Sequence, residues 1–237
     1  ISYNFLLGFI LPLCSGRFSL HAIDILEVYC YSIIVWGYSN SNYYYCWNGI
    51  IVMNLFVLSA DPVEAAQMQC NRHVVKMIVE SGQMLSTVHR MLDGSETRRP
   101  SKSGQTNVKY YVHSNPLLES TLNKAVHMNH PCTVWTRESS ANYDWHYQHF
   151  VALCDEYTYR YEKVHKTDTV LRNVLSQHPI NIPKGPLTQF KLAMKSNPEC
   201  MFENDPVKSY RLFYQTKQAR FSMDWTKRSV PEWFQSL

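Results

Sequence analysis

The chain has 237 residues, 45% of them hydrophobic, 14% aromatic and 18% charged, with 23 Lys+Arg against 19 Asp+Glu. This composition excludes a disordered chain and a membrane bundle, and the length suits one globular domain with or without an appendage. The net charge of +4 permits a nucleic-acid or other anionic partner without demanding one.

The charge is unevenly spread. Residues 1–52 carry only Arg17, Asp24 and Glu27, but hold seven of the 16 tyrosines and Cys14, Cys30 and Cys46. Removing Arg17 from 23 leaves 22 Lys+Arg, and removing Asp24 and Glu27 from 19 leaves 17 Asp+Glu, so 53–237 carries +5. Met53 is the first methionine in the chain. Three readings of 1–52 compete. A membrane anchor wants about 18 or more uninterrupted apolar residues, and the runs Phe5–Cys14 and Ser32–Gly37 are too short. A signal peptide wants a basic n-region, and none precedes Phe5. The reading favoured is upstream sequence read through in frame or a hydrophobic extension, with the working domain over 53–237. No membrane association is expected.

From Met53 onward the fold class reads as mainly α, a single helical domain with one short strand or extended segment at 54–58. The apolar run Leu55–Leu58 supplies that segment. Asp61-Pro62-Val63-Glu64 opens a helix, with Asp61 as cap, Pro62 in the first turn and Glu64 as a capping-box partner. The spacing predicts one continuous helix to about Leu92, ended by Asp93-Gly94. Its apolar stripe is Ala66, Cys70, Val74, Met77, Ser81, Leu85, Val88 and Leu92. A polar stripe runs beside it through Gln69, His73, Lys76, Glu80 and Gln83.

Residues 94–109 read as an exposed basic loop bearing Arg98, Arg99, Lys102 and Lys109. Asn115-Pro116 starts a second helix to about Met128, and a short turn of helix is expected over Cys132–Arg137. Ser139 or Ser140 caps a long helix to about Tyr161, with the stripe Tyr143, Tyr147, Phe150, Cys154, Tyr157 and Tyr161. A further helix spans roughly Asp168–Ser176. The Pro- and Gly-bearing loop 178–190 bars regular structure. Asp205-Pro206 then repeats the cap-plus-Pro device for a last helix to about Ala219.

Chemistry could sit in three places. His73, Lys76 and Glu80 share a helix face, so a base or acid, a cation and a carboxylate could bind a phosphate and move a proton. The bland alternative is a solvated face with an incidental ion pair. The segment from His127 to Arg160 holds His130, Arg137 and Arg160 among aromatics. The pairs His127/His130 and His146/His149 could chelate a metal with Cys132 or Cys154, but no Cys-x-x-Cys or His-Glu-x-x-His supports that, and no metal or other cofactor is assigned. His130 otherwise reads as a loop histidine bonding backbone beside Pro131. In the C-terminal region Arg211, Lys217 and Arg220 interleave with Tyr210, Phe213, Tyr214 and Phe221, a pattern that suits phosphates and stacked bases but also any basic amphipathic helix. No glycine-rich phosphate loop or Gly-x-Ser-x-Gly elbow is present. Cys70, Cys132, Cys154 and Cys200 are scattered and read as buried free thiols of a reducing compartment, hence a cytoplasmic protein.

Several stretches carry a resemblance: Met53-Asn-Leu-Phe-Val-Leu-Ser-Ala-Asp-Pro-Val-Glu, Gln69-Cys-Asn-Arg-His-Val-Val-Lys-Met, Asn129-His-Pro-Cys-Thr-Val-Trp-Thr-Arg, Leu153-Cys-Asp-Glu-Tyr-Thr-Tyr-Arg-Tyr and Val230-Pro-Glu-Trp-Phe. They resemble a family of uncharacterised bacteriophage and bacterial proteins. More distantly, the order of parts is similar to the pyrimidine-dimer DNA glycosylases. That resemblance implies a DNA-repair enzyme whose N-terminal α-amine attacks a sugar C1′ to form a Schiff base, assisted by a first-helix glutamate, with DNA as partner. It implies the amine at Met53, or at Asn54 if Met53 is removed. It also implies phosphate contacts from Arg72 and Lys76. The glutamate position falls on or next to His73, a departure that leaves His73 as acid or base, or Glu80 as the substitute. A non-enzymatic nucleic-acid-binding protein and an enzyme on a small nucleotide remain open, the latter with His73, Lys76, His130 and Arg137 around one pocket. A phage-encoded protein would work in the host cytoplasm.

Overall fold

The computed structural model describes residues 53–101 and 103–234. The expectation for 1–52, and Lys102, lie outside the described residues. Among the described residues the fold is mainly α, as expected. Seven α-helices run as α1 (Pro62–Gln67), α2 (Asn71–Asp93), α3 (Pro116–Thr121), α4 (Pro131–Glu138), α5 (Ser140–Tyr161), α6 (Lys166–Leu175) and α7 (Pro206–Gln215), with 3-10 turns at Pro198–Cys200 and Thr216–Ala219. None of the described helices is long and apolar enough to cross a membrane.

Local chemistry explains most helix starts. Asp61 accepts from the backbone N–H of Val63 and Glu64, Asn115 from Leu117 and Leu118, and Asp205 from Lys208, each followed by a proline that lacks the N–H a first turn cannot use. Ser139 caps α5 through the Asn142 N–H.

Three expectations need correction. The first helix is two: α1 ends at Gln67 and α2 starts at Asn71. The break at 68–70 is held from far along the chain. Cys70 N–H donates to the Tyr214 hydroxyl at 2.8 Å, Trp225 Nε1 donates to the Met68 carbonyl at 2.9 Å, and Asn71 N–H donates to the Asp224 carbonyl at 2.8 Å. Secondly, 94–109 is no loop. Gly94–Pro100 (β1) and Asn107–His113 (β2) form an antiparallel hairpin, registered Gly94 opposite His113 and Pro100 opposite Asn107. A β-carbon at Gly94 would collide with the Arg90 carbonyl, so the strand can leave the helix at this point only because glycine occupies it. Thirdly, α3 stops at Thr121 instead of running to Met128. Fully buried Arg90 holds the chain beyond it, donating from Nε to Asn123 O (2.7 Å) and from Nη2 to Glu119 O and Leu122 O (each 2.9 Å). Carbonyls bonded to a guanidinium are not continuing a helix ladder.

Of the two readings of 54–58, the extended segment holds: Met53–Leu58 is a buried thread outside the hairpin sheet, and its backbone is met largely by side chains. Asn54 Oδ1 accepts from the N–H of Leu55 (2.7 Å) and Phe56 (3.2 Å), and Arg211 Nε donates to Leu58 O at 2.8 Å. Phe56 takes the left-handed conformation at φ 47°, unfavourable for a bulky residue, and the bend sets its ring against His73 and Tyr214 at centroid distances of 4.7 and 5.0 Å.

The core lies between α2 and α5. Tyr143, Phe150, Cys154 and Tyr157 of the expected stripe are buried, each large ring contributing about 1.5–3 kcal/mol. Tyr147 and Tyr161 are half-buried, with hydroxyls on Arg172 O and Asn71 O. Gly82 lets α6 approach closely, since a β-carbon there would lie 3.0 Å from Leu171 Cδ1 and Thr167 Cγ2. Arg160 and Glu156 form a buried pair at 2.7 Å, and Arg228 joins Glu156 at 2.9 Å. Cys70, Cys132, Cys154 and Cys200 are buried free thiols.

Candidate functional site

Glu80 lies on the face of α2 that meets the buried thread. Its Oε2 accepts the Asn54 backbone N–H at 3.2 Å, and its Oε1 pairs with Lys76 Nζ at 3.1 Å, one helical turn back. Burial pushes the Glu80 carboxyl up; Lys76 and the Asn54 N–H oppose this without cancelling it. Lys76 reaches solvent while the Glu80 side chain is 12% exposed. A carboxyl that burial makes hard to ionise, held beside a cation, is suited to giving and taking a proton.

His130 completes the wall. It caps α4, its Nδ1 accepting the Cys132 N–H at 3.2 Å, and its ring faces the Met53 backbone. Burial and neighbouring His127 lower its pKa, so the ring is neutral near pH 7. The capping role matches the plainer of the two sequence readings, although Pro131 begins a helix there instead of interrupting one.

Lys217 sits next to this group. It is buried with Nζ 3.3 Å from the Phe213 ring centroid. Burial, then the charges of Arg220 and Lys76, push its pKa down to about 7. Arg220 is exposed. Thus Met53, Asn54, Lys76, Glu80 and His130 collect around the start of the thread, and Lys217 lies within electrostatic reach of Lys76.

Other expected site residues have different duties. His73 is buried, its Nδ1 2.7 Å from the Tyr214 hydroxyl and 3.6 Å from Cys70 Sγ, with its ring packed on Phe56 and Phe221. Burial lowers its pKa strongly, and Lys76 and Lys217 add to the effect. It is a core histidine packed on the Phe56 ring; of the two candidates for the acid–base position, Glu80 is the one hydrogen-bonded to the thread's backbone. Arg137 Nη1 donates to Met128 O at 2.5 Å and rests on Met91 Sδ, so the pocket of His73, Lys76, His130 and Arg137 is not formed as drawn from the sequence. Arg160 spends its donors on Glu156, Asn71 Oδ1 and Gln67 O, and Arg211 donates to Leu58 O beside the Trp233 ring. Arg160 is buried in these bonds, whereas Arg211 is half-buried. Arg72 is exposed and lies 5.4 Å from the Phe221 centroid, and Arg98, Arg99 and Lys109 are exposed on the hairpin.

In the suggested pair His146/His149 three of the four ring nitrogens are engaged, and among the described residues neither suggested pair belongs to a group of three ligands. His146 Nδ1 lies 2.7 Å from Thr136 Oγ1, and His149 bonds Pro62 O and Gln69 while stacking on Trp145. Sequence reasoning offered Asn54 only as a possible amine and Lys217 only as a phosphate contact; it missed the Asn54 side chain that folds the thread and the lowered pKa of Lys217. Neither has a signal in local sequence, because both depend on what packs around them.

No curated protein and no solved structure gives a significant match to this chain. Residues 53–169, just under half of the sequence, match the family model described as pyrimidine dimer DNA glycosylase. That stretch begins at the thread and includes Glu80 and His130, while Lys217 and Arg220 lie beyond it. Over the segment that builds most of the site, the chain resembles the pyrimidine dimer DNA glycosylases.

Proposed function

We propose that the protein excises damaged bases from DNA through a Schiff base formed at the start of the thread. The observation that carries this reading is the Glu80 carboxylate on the Asn54 nitrogen, inside the region that matches the glycosylase family. A chain starting at Met53 places its α-amine beside His130; removal of Met53 moves the amine to the nitrogen that Glu80 already contacts. An α-amine, with an unperturbed pKa of about 7.7–8.0, keeps a useful neutral fraction near pH 7.

In this mechanism the neutral amine bonds to the sugar C1′ as the C1′–base bond breaks. The electron pair leaves with the base, which takes a proton from Glu80 in its protonated form. The amine loses a proton as the sugar ring opens, giving the C1′=N Schiff base. Removal of a C2′ proton by the Glu80 carboxylate then expels the 3′ phosphate, and water releases the amine. Burial suits Glu80 to both roles by raising its pKa above the ordinary carboxylate value. Arg72, Lys76, Arg220 and the hairpin cations supply exposed positive charge for the DNA backbone.

The test is borohydride trapping of protein starting at Met53 on abasic or ultraviolet-irradiated duplex DNA. A covalent protein–DNA adduct is expected. Its absence, with DNA bound steeply salt-dependently and never turned over, would establish a binding protein instead.

A further inference from the structure

The far end of α2 holds a second group of reactive side chains, nine residues or about 13 Å along the helix from Glu80. His89 and Asp93 lie four residues apart on α2, and His113 ends β2; one ligand-capable atom of each lies within 4.8 Å of the others. Both rings are buried, His89 at 2% and His113 at 4% exposure. Two of their nitrogens, His89 Nδ1 and His113 Nε2, make no hydrogen bond of normal geometry, although the Gln177 backbone faces the His89 ring. Buried orphan groups cost about 1–3 kcal/mol each unless something meets them.

The His89 tautomer follows from its surroundings. The Tyr143 hydroxyl lies 2.7 Å from His89 Nε2 and 2.9 Å from Leu175 O. A carbonyl can only accept, so the single tyrosine proton goes to Leu175. His89 Nε2 then carries its own proton toward Tyr143 and leaves a lone pair on Nδ1. A ring whose far N–H is fixed by an oxygen is the usual arrangement of a metal-ligating histidine. Asp93 is also held in place, accepting from Ile180 N (2.7 Å) and from Asn181 N and Nδ2 (each 3.0 Å).

We propose that His89, Asp93 and His113 bind one divalent transition-metal ion of the zinc class. Two imidazole nitrogens and one carboxylate suit Zn²⁺ or its neighbours better than Mg²⁺ or Ca²⁺, which prefer all-oxygen shells. Bonds of about 2.0–2.2 Å set ligand atoms about 3.4 Å apart, so the group contracts on binding. Contraction has a cost. His113 Nδ1 accepts the Asn115 N–H at 3.1 Å, which puts the neutral ring's proton on Nε2. The ion displaces that proton, and the ring gives up the Asn115 bond if the proton moves to Nδ1. In return the ion ties the end of α2 to the base of the hairpin that carries Arg98, Arg99 and Lys109.

The experiment titrates the full chain with Co²⁺ as a spectroscopic probe, then measures retained Zn²⁺ by elemental analysis. One equivalent is expected, with Zn²⁺ raising the thermal midpoint. His89→Gln and Asp93→Asn should each weaken Co²⁺ binding by at least roughly 100-fold and abolish the midpoint shift. Circular dichroism checks that each variant folds, and Asp93→Asn, which keeps the side chain's shape, serves if the histidine variant does not. Failure of the wild-type chain to take up either ion stoichiometrically overturns the proposal. So does undiminished affinity in a folded Asp93→Asn variant.

Discussion

Two short segments of this protein solve the same backbone problem in opposite ways. Met53–Leu58 is apolar and buried, yet forms no ladder; its amides rely on Asn54, Glu80 and Arg211. Gly94–His113 is polar and exposed, yet forms a regular hairpin that satisfies itself strand to strand. Every buried N–H and C=O needs a partner, but nothing requires that partner to be backbone. Where side chains serve instead, the segment becomes dependent on distant residues and acquires carboxylates and cations at its surface. That dependence is what a reactive site needs.

The comparison can be broken most severely at Arg90, where the hairpin is rooted. Arg90 Nη1 meets Tyr111 O at 2.8 Å and Glu119 Oε2 at 2.6 Å, in addition to the carbonyls of Glu119, Leu122 and Asn123. Arg90→Met should cost about 3–5 kcal/mol in denaturant unfolding, because it strands a carboxylate and buried carbonyls. A loss below about 1 kcal/mol would show that the hairpin stands by itself.

Next in size is Glu80→Gln. It keeps a side-chain oxygen for Asn54 but no group that can exchange a proton. The rate of adduct formation in borohydride trapping should fall by about 10²-fold or more, with the folded state retained. An unchanged rate would make Glu80 a prop for the thread alone.

On the hairpin, Arg98→Ala with Arg99→Ala should move stability by no more than roughly 0.5 kcal/mol each, even though Arg99 lies 4.0 Å from the Tyr110 ring centroid. The same pair should lower the slope of log affinity for DNA against log salt by about 2, one for each lost phosphate contact. An unaltered slope would remove the hairpin from the DNA-binding face.

A further expected effect is in acid. Burial pushes the Glu119 carboxyl up, but the His113 N–H, Arg90 and the Tyr110 hydroxyl outweigh it and hold it at about 2, below its ordinary 4.5. A depressed carboxyl contributes stability that is fully present above its ordinary pKa and is lost as pH falls through about 2. Glu119→Gln should therefore flatten the fall in unfolding midpoint between pH 5 and pH 2, roughly those two limits.

What the sequence made legible was local. Asp61-Pro62, Asn115-Pro116 and Asp205-Pro206 mark helix starts because cap and proline act within one turn. The α5 stripe was readable because 3.6-residue spacing survives whatever packs on it. The interruption at 68–70 was not, since the pattern Ala66, Cys70, Val74 runs straight through it and the groups that stabilise it come from Tyr214, Asp224 and Trp225. The hairpin did leave a signal, the β-branched and aromatic run Val108, Tyr110, Tyr111 and Val112, which the flanking Arg, Lys and Ser residues obscured. At the site, Glu80 and Lys76 were visible as a helical pair. Their meeting with Asn54 spans 26 residues and follows only from the way the thread bends.

The broken first helix also bears on how the chain is made. Its seals, Tyr214, Trp225 and Trp233, lie 144, 157 and 165 residues downstream of the positions they close. At synthesis rates of about 5–20 residues per second, α1 and α2 wait on the order of ten seconds or more on the ribosome before that junction can close. During this interval the Met68 carbonyl and Cys70 amide must be served by water. The stretch that resembles the glycosylases is thus a fragment finished from outside itself, and a nascent chain halted near residue 169 would present an unsealed edge to chaperones.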